Sequence, residues 1–185
     1  MKKKYLPLLI VVSIVILIIV FFVVGNIEIE SKQGGKQQET QHLNNFLDSF
    51  PNEDLSEGEI EALDLTLNDE YKAEAIYQKV LDKFGEVSPF NKIINAEKTH
   101  SGSLEDIYEK YDLTIPNNDW YDQVEEYDSI QEACEAGVEA EIENVALYDG
   151  LFLDVDNQDI IAVFTSLRDA SRDKHLPAFQ RCAAR

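Results

Sequence analysis

The longest apolar run of the chain lies near its N-terminus. Residues 5–25 read YLPLLIVVSIVILIIVFFVVG and carry no charge. A helix of about 20 apolar residues can cross a bilayer core. The run is preceded by Lys2, Lys3 and Lys4. By the positive-inside rule, these three lysines stay in the cytoplasm. The pattern predicts a signal anchor over residues 1–25 and places the remainder of the chain outside the cytoplasm, in a single-pass membrane protein.

A cleaved signal peptide is the alternative for the same segment. Such peptides have an apolar region of about 7–15 residues followed by a small-residue cleavage site. The run here is longer, and only a poor site occurs near Val24 and Gly25. No cysteine follows it closely, which argues against a lipoprotein. The anchor is therefore favoured, and cleavage stays open.

A polar segment follows the apolar run. Residues 26–41 read NIEIESKQGGKQQETQ, a Gln-rich stretch without apolar periodicity, which is typical of a flexible tether. Residues 42–50 then place Leu43, Phe46, Leu47 and Phe50 at helical spacing. We expect residues 26–55 to be a tether that ends in a short amphipathic helix packed on the main domain.

Helix-capping patterns mark the first two long helices of the main domain. Ser56 and Glu59 form a capping box, and the periodicity runs to Phe84, after which Gly85 can end the helix. A second helix is predicted to open with Ser88 as the cap and Pro89 at the first helical position, and to end near Tyr111.

Two further helices complete the pattern. The third begins at Ser129, with Glu132 three residues later, and ends near Asp149 before Gly150. The fourth begins near Asn157 and continues past His175, although Pro177 should bend its last turns.

Loop lengths predict how these helices are arranged. No segment shows the alternating apolar and polar positions of a strand. Short turns join helix 1 to helix 2 and helix 3 to helix 4, so each pair forms an antiparallel hairpin. The longer link 112–128 lets the second hairpin lie across the first. The sequence predicts an all-α, antiparallel four-helix bundle over residues 56–185.

Ionisable residues interrupt the apolar face of every predicted helix. Residues seven apart share a face, and each inward stripe is apolar except near its middle. The interrupting residues are Glu70, Glu97, His100, Glu141 and His175. Because an isolated buried carboxylate costs several kcal/mol or more, a shared cation is the simplest explanation. Carboxylates suit iron or manganese, and imidazoles suit iron, copper or zinc.

The spacing Glu97-x-x-His100 is the most informative of these features. Residues i and i+3 lie on one helix face, so a carboxylate and an imidazole can bind the same metal site. Carboxylate-bridged di-metal bundles use this element together with single Glu residues on partner helices. The motif is weak alone, but its combination with Glu70, Glu141 and His175 on three other helices is more specific.

The chain resembles a known family at these positions. The segments NDEYKAEAIY, PFNKIINAEKTH, AGVEAEIENVALYD and DASRDKHLPAF are similar to ferritin-like proteins grouped as domain of unknown function 2202, over residues 57–182. The resemblance implies a ferritin-like bundle with a di-iron or related centre whose ligands are Glu70, Glu97, His100, Glu141 and His175.

One ligand of that pattern is missing. A second E-x-x-H would place Glu at position 172, where this chain has Arg172, preceded by Ser171. Glu74 or Asp173 could substitute, and a mononuclear or weakly held second metal stays open.

Residues near the candidate ligands have two interpretations. Tyr71, Tyr77 and Tyr148 suit core packing better than redox relays. Asn144, three residues after Glu141, could orient a ligand or have a plain surface or packing role.

Charge and cysteine content narrow the functional classes. Asp and Glu number 36 against 16 Lys and Arg, a net charge of −20, which excludes a phosphate-tracking nucleic-acid binder.

Cys134 lies seven residues before Glu141, and Cys182 lies seven after His175. If Glu141 faces His175 on antiparallel helices, both cysteines lie on the same side of the metal. We expect a disulfide, and two buried thiols are the alternative.

These observations favour a membrane-anchored, extracytoplasmic, ferritin-like metalloprotein that binds one or two iron ions, or manganese, for redox chemistry with O2 or peroxide. No nucleotide-binding or serine-hydrolase motif occurs, so the electron donor would be external. The alternative is a non-catalytic, surface-displayed bundle that holds a structural metal, or no metal, and acts as an interaction module. The sequence does not specify the oligomeric state.

Overall fold

The computed structural model describes residues 46–185, and all regular structure in this range is helical. Four rods form the domain: α1 (Glu57–Phe84), α2 (Phe90–Lys110), α3 (Ile130–Leu151), and a fourth rod made of α4 (Gln158–Ala170), a π-helical turn (Ser171–His175) and α5 (Leu176–Ala183). A 3-10 turn (Trp120–Asp122) lies in the link between α2 and α3. The all-α prediction is confirmed for the described range.

The anchor predicted over residues 1–25, residues 26–41 of the tether and the first residues of the short helix predicted over 42–50 lie outside the described residues. Of that helix, Phe46 and Leu47 are helical, and Leu47 is buried. Across residues 46–185, no helix has both the length and the apolar character needed to span a membrane.

The start of α1 follows its capping box. The Ser56 hydroxyl accepts a hydrogen bond from the backbone N–H of Glu59, and the Glu59 carboxylate accepts one from the backbone N–H of Ser56. The same carboxylate accepts the N–H groups of Asp156 and Asn157, which start the fourth rod. Glu59 therefore caps one helix and attaches the beginning of another to it. At the other end, Gly85 has φ +80°, which ends the helix as predicted.

The start of α2 and the end of α3 differ from the prediction. Pro89 is the N-cap of α2 rather than its first helical residue, and no side-chain bond from Ser88 caps the helix. The Pro89 carbonyl accepts the N–H groups of Lys92 and Ile93, so the backbone alone begins this helix. Ser129 does cap α3, which continues through Gly150 and ends one residue later.

The π-helical turn keeps the fourth rod continuous across Pro177. Proline has no N–H and its ring clashes with the carbonyl four residues earlier, which belongs to Asp173. The wider turn of residues 171–175 comes directly before this point, and α5 continues to Ala183. Ser171 and His175 are buried, and the three residues between them are exposed. A local change of helix type thus lies directly before Pro177.

The rods pack as a bundle in which each contacts two neighbours. α1 packs on α2 and α3, α3 packs on the fourth rod, and α2 packs on α4. α1 and α2 are antiparallel, because Asp64 bonds Tyr108 whereas Glu70, farther along α1, contacts His100 on an earlier turn of α2.

The core consists of two separate apolar clusters. The first includes Leu63, Leu67, Leu104, Tyr148, Phe164 and Leu167. The second includes Tyr77, Val80, Phe90, Ile94, Cys134, Phe179 and Cys182. A disulfide joins Cys134 of α3 to Cys182 of α5 inside the second cluster, with a Cα–Cα distance of 5.7 Å. The predicted pairing of the two cysteines is confirmed.

Candidate metal centre

Five ionisable side chains from all four rods meet between the two apolar clusters. Glu70 comes from α1, Glu97 and His100 from α2, Glu141 from α3, and His175 from the π-helical turn. Their exposed fractions range from 1 to 8%. On α2, α3 and the fourth rod, these residues separate the part that belongs to the first cluster from the part that belongs to the second. On α1, Glu70 lies at the end of the part that belongs to the first cluster, next to Tyr71. The structure brings together every residue that the sequence analysis named as a main candidate ligand.

The five residues form two groups of three that share one member. In the first group, Oε2 of Glu70 and Oε2 of Glu97 lie 3.3 and 3.0 Å from Nδ1 of His100. In the second, Oε1 of Glu97 and Oε2 of Glu141 lie 3.0 and 3.6 Å from Nδ1 of His175. Within each group, one ligand atom per residue lies within 4.8 Å of the others. The two imidazole rings are stacked with their centroids 5.4 Å apart.

Glu97 is the shared member, and it uses a different oxygen in each group. Oε2 faces His100 and Oε1 faces His175, both at 3.0 Å. The contact with His100 follows from the i, i+3 spacing on α2. The contact with His175 exists only because the fourth rod packs against α2.

Two tyrosines bond the outer carboxylates, which are those of Glu70 and Glu141 and belong to one group each. The Tyr148 hydroxyl donates to Glu70 Oε1 at 2.7 Å, and the Tyr77 hydroxyl donates to Glu141 Oε1 at 2.8 Å. Both tyrosines are also buried core residues, so packing is only part of their role. The Tyr71 hydroxyl instead donates to Glu105, outside both groups.

Asn144 is buried and contacts Glu70, so the interpretation of this residue as a surface position is wrong. Its Nδ2 donates to Asp69 Oδ2 at 2.9 Å and lies 3.4 Å from Glu70 Oε1. Sequence analysis missed Asp69, because it precedes Glu70 and falls off the predicted inward stripe. Burial raises the pKa of Asp69 to about 6, although the Asn144 hydrogen bond acts in the opposite direction.

Four of the five side chains, Glu70, Glu97, His100 and His175, have shifted pKa values. Burial opposes the charged form of both histidines, yet the neighbouring carboxylates raise the pKa of His100 to about 10 and that of His175 to about 9. Burial also disfavours ionised Glu97, but its contacts with the two imidazoles lower its pKa to about 2. Burial raises the pKa of Glu70 against the influence of His100. The opposite charges of Glu97 and the two imidazoles thus stabilise each other.

The donor set fits a transition-metal ion. Carboxylate oxygens and imidazole nitrogens are ligands that transition-metal ions accept, and those of each group converge within 4.8 Å of one another. Nδ1 of His175 is buried and makes no hydrogen bond of acceptable geometry, despite its short distance to Glu97. A nitrogen that approaches carboxylate oxygens without a hydrogen bond is suited to bind a cation with them.

The two substitute ligands considered for the missing carboxylate lie elsewhere. Glu74 accepts a hydrogen bond from Ser101 at 2.5 Å and belongs to neither group. Asp173 is exposed and pairs with Arg172, so the suggestion that it replaces the carboxylate is wrong. In the π-helical turn it is Ser171, four residues before His175, that is buried with the histidine. The candidate ligand set is therefore three carboxylates and two imidazoles.

Comparison with known proteins places the chain in a family. The model of the uncharacterized protein domain DUF2202 matches residues 59–184, and the chain belongs to this family. Among solved structures, the crystal structure of the hypothetical protein MJ0754 from Methanococcus jannaschii DSM 2661 is similar, with 26% sequence identity and a TM-score of 0.66. The match covers 72% of this chain and 84% of that one. The search of curated proteins found no match.

Proposed function

We propose that this protein is a ferritin-like metalloprotein that binds two metal ions, iron or alternatively manganese, and performs redox chemistry with O2 or peroxide. Glu70, Glu97 and His100 would hold one ion, and Glu97, Glu141 and His175 the other. The observation that carries the proposal is the position of Glu97, which directs one carboxylate oxygen to each imidazole at 3.0 Å. Glu97 would therefore help to hold both ions.

The residues of the chain have distinct roles in this proposal. The tyrosines at positions 77 and 148 and Asn144 orient the outer carboxylates through hydrogen bonds. The two apolar clusters exclude bulk water from above and below the layer. When bound, an iron pair would supply the redox equivalents for reducing O2 or peroxide. An external electron donor would be required for turnover.

Metal analysis of full-length variants tests the ligand assignment. The unmodified chain should bind about two transition-metal ions. Glu97→Gln should weaken both, because both groups share this carboxylate, whereas Glu141→Gln should weaken only one. Glu109→Gln is the matched control, since Glu109 is exposed on the same helix. Elemental analysis after equilibration with Fe²⁺ under anaerobic conditions gives the stoichiometry, and an absorption change on adding O2 reports the redox reaction.

A folded chain that binds no transition metal, with Glu97→Ala and His100→Ala leaving its behaviour unchanged, would contradict the metalloprotein. That result would favour the second candidate, a helical interaction module. The raised pKa values of His100 and His175 support this alternative, because imidazolium groups can neutralise the buried carboxylates without a metal ion.

The proposal also includes a location. The uncharged run at residues 5–25, preceded by three lysines, would anchor the protein in the membrane with the helical domain outside the cytoplasm. Recovery of the full-length, uncleaved chain in the soluble fraction of cells would contradict this part alone.

A further inference from the structure

A small cavity lies between α1 and α3 and reaches the candidate metal centre. Its volume is about 50 Å³. Lys72 and Glu143 line it and are exposed, whereas Glu97 and Glu141 line it and are buried. The cavity therefore connects the protein surface with two of the candidate ligands, both in the group that contains His175.

The size of the cavity limits what can pass through it. A single water needs about 10–15 Å³ on this scale, so the space accommodates a few water molecules. Pockets that bind organic substrates measure about 300–1,000 Å³. The cavity suits a metal ion or an oxidant of similar size and excludes an organic substrate.

The charges along the cavity favour a cation. Four carboxylates line it, those of Asp69, Glu97, Glu141 and Glu143, against the single ammonium of Lys72. A cleft with walls of one sign raises the local concentration of the opposite charge.

A buried oxygen without a partner marks one position in this wall. Asn144 lines the cavity and is 7% exposed, and its Nδ2 donates to Asp69. Its Oδ1 has no hydrogen-bond partner among the described residues. Buried polar atoms are nearly always satisfied, so an unpartnered one calls for a ligand. Amide and carboxylate oxygens are both donors that divalent cations accept, and Asn144 and Asp69 each bring one to the cavity wall.

We propose that this cavity is the access route for divalent cations to the metal centre, and that Asp69 and Asn144 Oδ1 bind the cation in transit. The inference rests on the proposed function, since it supplies the path to that site. It makes the group of Glu97, Glu141 and His175 the one that an incoming ion meets first.

A variant that fills the cavity tests the route. Ala140 lines the cavity on α3, and Ala140→Leu adds three carbon atoms there without changing a candidate ligand. Ala146→Leu, at an exposed position of the same helix, is the matched control. Stopped-flow absorption of Co²⁺ binding to the full-length chain should show loading slowed on the order of tenfold or more in Ala140→Leu. The final number of ions bound should equal that of the unmodified chain and the control.

A second variant tests the transit position without changing side-chain size. Asp69→Asn should slow Co²⁺ loading by roughly tenfold, because it removes a carboxylate from the wall. Asp54→Asn, with the same change of charge outside the cavity, should load at the unmodified rate. If circular dichroism shows that Ala140→Leu does not fold, the comparison of Asp69→Asn with Asp54→Asn decides the proposal.

The outcomes separate this inference from the proposed function. Ala140→Leu that folds and loads at the unmodified rate would overturn the route, and unmodified loading by Asp69→Asn would overturn the transit site. Either result leaves two ions bound at equilibrium and the metal centre intact. An unmodified chain that binds no Co²⁺ at equilibrium would overturn the metal centre and the route with it.

Discussion

At the scale of single residues, local spacing and long-range packing contribute differently to the candidate centre. The pair Glu97 and His100 is visible in the sequence, because i and i+3 residues share a helix face. The partners of Tyr77 and Tyr148 were not predictable, since an aromatic ring on an apolar stripe suits a core position whether or not its hydroxyl has a partner. Both hydroxyls lie beside carboxylates on other helices.

Gly137 provides a prediction at this scale. A Cβ added at Gly137 would lie 2.5 Å from Cδ1 of Phe179. The Phe179 ring is fully buried and packs on Phe90 and Tyr77 at centroid distances of 5.1 and 5.3 Å, so it has little room to move. Gly137→Ala should lower the free energy of unfolding by about 1–3 kcal/mol, measured by urea denaturation.

Gly150→Ala is the control for that substitution. It lies on the same helix, and a Cβ there meets no atom within 4 Å. Because alanine favours helix over glycine, this variant should be equal to the unmodified chain or more stable by up to about 1 kcal/mol. Equal stability of the two variants would show that Phe179 does not restrict position 137.

At the scale of elements, cap patterns predicted helix starts well where a side chain performs the capping. Ser56 and Ser129 cap α1 and α3 as their sequences indicate. The start of α2 was misassigned by one residue, because the backbone of Pro89 takes the role expected of Ser88. The π-helical turn was not predicted either. Proline predicts a disturbed helix but not whether the chain bends or widens.

Glu59 gives a pH-dependent prediction for the junction of two helices. Burial raises its pKa, but hydrogen bonds from the backbone of Ser56 and Asn157 outweigh it and lower the pKa below the ordinary value of 4.5. Its stabilising contribution is therefore complete above that value and is lost as the pH falls through the folded-state pKa. Glu59→Gln should lower the free energy of unfolding by roughly 1–3 kcal/mol at neutral pH.

The difference between Glu59→Gln and the unmodified chain should shrink as denaturation curves are recorded at pH values falling below 4.5, because Glu59 becomes protonated only below its ordinary pKa. Glu61→Gln, at an exposed position two residues along α1, serves as the control and should leave the unfolding free energy unchanged. A difference for Glu59→Gln that stays constant with pH would contradict the role of its charge.

At the scale of the whole molecule, the polar layer is buried because apolar clusters enclose it from both ends. Each rod contributes to both clusters, and ionisable residues lie between the two parts on α2, α3 and the fourth rod. The equal depth of these interruptions was predictable from seven-residue spacing. The same argument predicted the disulfide, since residues two turns from Glu141 and His175 keep the inward face.

The disulfide supports a prediction about global stability. Cys134 and Cys182 are 48 residues apart in sequence and connect α3 to α5. The loop-entropy relation gives about 4 kcal/mol for a closed loop of this length. Cys134→Ser combined with Cys182→Ser should lower the free energy of unfolding by about this amount in guanidinium denaturation. Two alkylatable thiols in the native protein, found by mass spectrometry without reductant, would contradict the pairing.

The sequence by itself determined the helical class, most helix boundaries, the five inward-facing ionisable residues and the cysteine pairing. Each of these depends on periodicity within a helix, which local residue order specifies. Only the tertiary structure decided that Glu97 contacts both imidazoles, that Asp173 faces solvent, and that Asp69 and Asn144 line a cavity leading inward. These features depend on how separate rods rotate and pack, and such contacts between residues distant in the chain are not encoded in any single helical pattern.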